Sequence, residues 1–234
     1  MHIKATHLLV ALLIVFNILD QRAIGRLKKT TDPHARIRVY RFIFSWLWAA
    51  TIAAAWLMGP QELFWAHRDR LSVSWLPGPV TAGIVAIAAF LALVGPLILL
   101  QRKPGAAANL SRALEKLRFF LPHTPEERRW WVLLSITAGV CEESLFRSFL
   151  LQYLHNDPWR LDLGVAIFIA CVFFALGHLY QGPIAAIGTG VLAVLFFVLF
   201  LGSGNLLLPM FLHAITDLRA LFLLRLAEKT PAQT

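Results

Sequence analysis

Seven runs of mostly apolar residues dominate this 234-residue chain, at 5–19, 40–58, 79–100, 130–154, 163–178, 183–201 and 206–224. Roughly 20 consecutive apolar residues cross a bilayer as a helix, so runs of this length recurring along a chain mark a polytopic membrane protein. Composition agrees: 58% of residues are hydrophobic and 15% are charged, against about 25% charged in an ordinary soluble domain. The expected fold is all-α: a transmembrane helical bundle of about seven spans, forming a single membrane domain over residues 1–234. The first run is as short as a signal-peptide core. It lacks a small-residue cleavage site, and its basic flank (Arg22, Arg26, Lys28, Lys29) follows it, so it reads as a retained span.

The formal charge of +9 does not point to nucleic acid, because the cations cluster between the apolar runs. Residues 21–41 and 101–129 hold seven Lys or Arg each and the tail from Leu218 holds three, while the alternate segments hold Lys4, Arg68, Arg70 and Arg160. By the positive-inside rule the N-terminus lies outside and the C-terminus in the cytoplasm of a cell (inner or plasma) membrane. The two cysteines, Cys141 and Cys171, sit inside apolar runs and read as small buried side chains.

The connector before the fourth run carries its own signals. Leu110, Ala113, Leu114 and Leu117 recur at helical spacing with Arg112, Lys116 and Arg118 between them. That pattern predicts a short interfacial helix drawn to an anionic inner leaflet. In "TPEE", Thr124 suits an N-cap, Pro125 the first helical position and Glu127 the reciprocal half of a capping box. The fourth helix therefore starts near Pro125 and ends at Asn156, Asp157 and Pro158, long enough to cross with some tilt.

The most constraining residues are the charges inside this helix. Each ionised group at mid-bilayer costs roughly 2.5–3.5 kcal/mol on insertion scales. Glu143 and Arg147 are four apart with the acid first, so they share a helical face and offset part of that cost. Glu142 projects about 100° away and must find its partner on another helix or in a wet cavity. Two other runs supply polar groups: His178 at the end of the fifth, and His213 with Asp217 one turn apart in the seventh. A carboxylate beside an imidazole can hold and deprotonate water, and a second imidazole with a further polar group can steady an oxyanion. This inventory suits amide hydrolysis; it also resembles a Glu/His metal site.

These residues fall into a known pattern. Glu142-Glu143-x-x-x-Arg147, Phe174-x-x-x-His178 and His213-x-x-x-Asp217 occur in order, each in its own apolar run. In this the chain resembles the CAAX-protease and bacteriocin-processing (CPBP, or Abi) family of intramembrane proteases, relatives of the Ras-converting prenyl-protein endopeptidases. The resemblance implies an intramembrane endopeptidase acting on a membrane-associated peptide or protein, with its catalytic helices within residues 125–224. It implies Glu142 as general base acting on water with His178, Glu143 and Arg147 as supports of the pocket, and His213 with Asp217 as oxyanion or water-orienting groups. Asp217 stands where some relatives have asparagine, and an ionised aspartate accepts hydrogen bonds without donating them. A divalent metal such as zinc stays open, with Glu142, His178 and His213 as candidate ligands, although no HExxH pair demands it. Two rival functions use the same residues: a transporter or proton relay, and a non-catalytic immunity or scaffold member of the family.

Overall fold

A computed structural model describes residues 3–66, 77–100, 106–156 and 158–228. Arg68, Arg70, Arg102, Lys103, Asp157 and Lys229, which enter the charge count and the helix-stop signal, lie outside the described residues. Among the described residues the secondary structure is helical, apart from one isolated bridge between Trp65 and Asn205.

The helices are α1 (Ile3–Leu27), α2 (Ala35–Met58), the short α3 (Pro60–Phe64), α4 (Pro79–Leu100), α5 (Ala106–Glu115), α6 (Pro125–Glu142), α7 (Leu151–His155), α8 (Leu163–Gly177), α9 (Pro183–Ser203) and α10 (Leu207–Glu228). Five of them, α1, α2, α4, α9 and α10, are long and apolar enough to cross a membrane. Two of the seven expected spans are not in that set. The fourth run starts with charged residues and keeps Glu142, Glu143 and Arg147 in its middle. The fifth gives an α8 of only 15 residues, about 22 Å at 1.5 Å per residue. The hydrocarbon layer is about 30 Å thick.

The fourth run does continue from residue 125 to 155, but not as uniform α-helix. Between α6 and α7 the stretch Glu143–Leu150 winds as a π-helix, and all eight of its residues are buried. A π segment bonds i to i+5 and often marks a functional site. Its looser winding reduces the turn between consecutive residues, so side chains at the α/π junction diverge less than on an α-helix.

The start of α6 follows its sequence signal. The Thr124 hydroxyl accepts from the Glu127 N–H at 3.1 Å, and the Glu127 carboxylate accepts from the N–H groups of Thr124 (3.0 Å) and His123 (2.7 Å). Its other oxygen takes Arg36 Nε of α2 at 2.8 Å. The cap thus also docks α6 on α2. The Tyr40 hydroxyl, donating to the Phe120 carbonyl, adds a second tie at this end. In the connector, α5 stops at Glu115, short of Leu117, whose N–H turns back to the Leu114 carbonyl.

Helix α6 packs on α2 and α10, α8 on α9, α1 on α2 and α8, and α4 on α9 and α10. A main apolar cluster joins α1, α2, α6, the π segment, α8 and α9; a smaller one holds Ala86, Phe196, Leu199 and Leu212. Ile84, Ile87, Leu91, Ile98 and Leu99 of α4 point outward, as suits a bilayer solvent. One glycine sets the key approach: a Cβ on Gly139 would lie 2.8 Å from the Met210 carbonyl oxygen and 3.1 Å from Ala214 Cβ. Small residues let membrane helices approach this closely.

Two outcomes follow. Replacing Gly139 by Leu should force α6 off α10 and cost about 1–3 kcal/mol of overpacking, read as a lower midpoint of thermal unfolding in detergent. Burial alone would push the Glu127 carboxyl up, but the Thr124 and His123 N–H groups and Arg36 outweigh it and hold it below the ordinary value of 4.5. A depressed carboxyl contributes stability above its unfolded value and loses it as pH falls through its folded value. Wild type should therefore lose more stability than Glu127→Gln on acidification below 4.5, and the two unfolding midpoints should converge.

Candidate active site

The close approach at Gly139 brings the next turn of the same rod alongside His213 of α10. Glu143 Oε1 lies 2.6 Å from His213 Nδ1. A carboxylate only accepts, so Nδ1 carries the hydrogen and the imidazole is fixed in one tautomer and orientation. Glu143 Oε2 lies 3.0 Å from Arg147 Nε, and both side chains are fully buried. Glu143 therefore lies between an imidazole and a guanidinium, joined to the first by a charge-assisted hydrogen bond and to the second as an ion pair.

The far edge of the His213 ring meets the other two acids. Its Nε2 lies 3.8 Å from Glu142 Oε2 and 3.8 Å from Asp217 Oδ2. These spacings exceed a direct hydrogen bond and suit a bridging group between them. The side chains of Glu142 and Asp217 are 18% and 35% exposed, against 0% for Glu143. The site thus has a sealed side, Glu143 with Arg147, and an open side, Glu142 with Asp217. Adjacent glutamates of one helix reach the two nitrogens of one ring because they straddle the α/π junction.

Arg147 shows why the second motif begins with phenylalanine. Its guanidinium sits over the Phe174 ring at 4.2 Å, with Phe196 at 5.3 Å and Phe197 at 5.7 Å. Its Nη1 and Nη2 have no hydrogen-bond acceptor among the described residues. A desolvated cation against aromatic faces gains about 2 kcal/mol, which partly replaces the missing acceptors. Phe174 also touches both histidines, with ring centroids 4.6 Å from His178 and 6.1 Å from His213. His178 caps α8; its Nδ1 donates to the Phe174 carbonyl at 2.8 Å, which leaves Nε2 as its accepting nitrogen.

The structure therefore brings Glu142, Glu143, Arg147, His213 and Asp217 into one contact network and joins His178 to it through Phe174. Sequence reasoning missed several neighbours. Phe196 stacks on His213 at 5.6 Å, and Trp131 Nε1 donates to the Asp217 carbonyl at 3.2 Å. Asp20 of α1 accepts from Trp46 Nε1 at 2.9 Å. In an apolar run Phe196 carries no mark that separates it from a lipid-facing residue; Asp20, an acid closing the first run, was the one visible signal.

Residues 124–219, which contain all six candidate side chains, match the family described as Type II CAAX prenyl endopeptidase Rce1-like. Over this segment the chain is similar to that family. That is a protease family, and with the long apolar helices it makes this a multi-pass membrane protein. No curated protein and no solved structure matches the chain. Helices α1 to α5 lie outside the Rce1-like segment.

Among the described residues no three His, Cys, Asp or Glu side chains come together closely enough to hold a metal ion. Glu142, His178 and His213, the candidate ligands of the sequence, are not among the described residues grouped in that way.

Breaking a buried pair from one side costs about 3–5 kcal/mol because a charge is stranded. Arg147→Met should lower stability by that order. The double variant Glu143→Leu/Arg147→Met should recover part of the loss, since it strands no charge. Chemical unfolding of the three proteins in detergent reads both.

Proposed function

We propose that this Rce1-like protein is an endopeptidase that cleaves a membrane-associated peptide with a water activated directly by Glu142. The observation that carries this is the pair of 3.8 Å gaps around His213 Nε2, bordered by Glu142 and Asp217 on the open side of a ring clamped by Glu143. A water held there can donate one hydrogen to the Glu142 carboxylate, its proton acceptor, and the other to Asp217, which orients it, with the His178 imidazole beside them as a further polar group of the pocket. Attack on the peptide carbonyl passes the water proton to Glu142, which returns it to the leaving amine as the C–N bond breaks. In its imidazolium form His213 also presents an Nε2–H, the donor that a developing oxyanion needs. Glu143 and Arg147 act through His213 as positioning residues.

The charge pattern supports an orientation with the N-terminus outside and the basic connectors at the cytoplasmic face. In that orientation α5 rests on an anionic inner leaflet, and the substrate is a peptide presented at that leaflet. A prenylated CAAX-type peptide is the first substrate to test, alongside its unprenylated counterpart.

Glu142→Gln keeps size and removes the base. It should lower kcat by about 10²–10⁴-fold with unchanged unfolding behaviour; turnover at the wild-type rate would remove Glu142 from the mechanism. Because the acids and imidazoles act on water themselves, dialysis against a chelator should leave cleavage intact. Loss of activity on chelation, restored by zinc, would replace this mechanism with a metal-assisted one.

A further inference from the structure

His178 stands at an exposed weakness of the fold. It caps α8, a 15-residue helix that ends at Gly177, and helix ends carry carbonyls with no intrahelical donor. The last carbonyls of α8 can be followed one by one. The Phe174 carbonyl accepts from the ring of His178 at 2.8 Å and the Ala175 carbonyl from its backbone N–H at 2.9 Å. Both ties come from His178 itself and move with it.

The Leu176 carbonyl is also within reach of the His178 N–H, but it has a further donor from outside its own helix. It accepts from Gln21 Nε2 of α1 at 2.7 Å, a bond from another helix 155 residues away in sequence. Gln21 is braced by Asn17 Oδ1, one turn earlier, at 3.4 Å. Asn17 in turn fills the space beside Gly177: a Cβ there would lie 2.7 Å from Asn17 Nδ2. Asp20, between them in sequence, is held by Trp46 of α2, which stacks flat on Phe16 at 5.2 Å. A polar ledge on a membrane helix is expensive unless it is used, and this one meets the chain immediately before His178.

We infer that the ledge of α1 formed by Asn17, Asp20 and Gln21 belongs to the active site, with Gln21 as the positioning residue that clamps the end of α8 and thereby fixes the imidazole of His178, and Asn17 packed beside Gly177. This rests on the reading of His178 as a polar group of the pocket that holds the reacting water. It assigns a role to a helix outside the Rce1-like segment. Gln21 touches no reacting atom; it acts through the Leu176 carbonyl. A side chain at Gly177 would force the Asn17 amide, which lies in its place, to move.

The test uses the full chain in detergent with the prenylated CAAX-type peptide, and it records histidine ring signals by ¹⁵N NMR. Gln21→Leu and the equal-sized Gln21→Glu, whose carboxylate cannot donate, should each lower kcat about 10–100-fold, the scale of a misplaced catalytic group. KM and the unfolding midpoint should stay near wild type, and the His178 ring signals should shift or broaden. Gly177→Ala should lose activity similarly, and Asn17→Ala added to it should restore activity by opening the space. Unchanged kcat and unchanged His178 signals in both Gln21 variants would overturn the clamp. So would losses that track the unfolding midpoint, or a Gly177→Ala defect that Asn17→Ala leaves in place. If wild type cleaves nothing, the protease assignment falls, while the His178 signals still decide whether Gln21 holds the ring.

Discussion

A guanidinium without water around it is the constraint from which this structure is best understood. Arg147 is wholly buried, and five N–H donors cannot be left facing hydrocarbon without a large penalty. One edge is met by Glu143 and the faces by three phenylalanines from α8 and α9. Those partners come from different helices, so the need to cover one cation fixes how the π segment, α8 and α9 meet. The second oxygen of Glu143 extends the same logic to α10 through His213. The charges are therefore not tolerated by a bundle already formed; they specify its packing.

That network also separates two tasks within a pair of adjacent glutamates. Glu143 holds the His213 ring by a hydrogen bond on one oxygen, faces Arg147 as an ion pair with the other, and is sealed from solvent, which suits a support. Among the described residues Glu142 is paired with neither an arginine nor a hydrogen-bonded imidazole, and its side chain is the more exposed of the two, at 18%, which suits a base. Neighbouring acids on a regular α-helix would diverge more widely. The π winding that begins at Glu143 lets both reach one imidazole, and Gly139 removes the side chain that would have kept that imidazole away.

What was legible in the sequence was what hydrocarbon makes costly. Glu142, Glu143, Arg147, His178, His213 and Asp217 stand out from apolar surroundings, and their spacing already paired Glu143 with Arg147. The capping box at Thr124 and Glu127 was equally readable, because its donors and acceptors are local. Features that depend on what lies across a helix interface were not. Phe196 and Phe197 look like any lipid-facing pair until Arg147 is found against them. The π turn leaves no local mark in ESLFRSFL, since its cause is the tertiary contact it makes. The expectation of about seven spans rested on the apolar runs and the alternation of Lys and Arg between them; the sequence also showed the short fifth run and the charged start of the fourth, and these are the two runs that are not among the five helices long and apolar enough to cross.

The shortness of α8 follows from the same chemistry. A helix carried on to full membrane length would bury its terminal carbonyls and place His178 in mid-helix, where its backbone would be committed to the ladder. Ending at Gly177 leaves a helix terminus beside the acids, followed by a single 3₁₀ turn, Leu179–Gln181, and the positive-φ Gly182 that starts α9. There the chain can turn around His178 and leave its Nε2 unencumbered, and the aromatic group of Tyr40, Phe120, Trp131 and Tyr180 closes the space behind it. A terminus in this position needs a donor from elsewhere, and α1 supplies it. The proposed hydrolysis requires water to meet polar groups at a place lipid does not reach, and a helix that stops short offers such a place beside the candidate side chains.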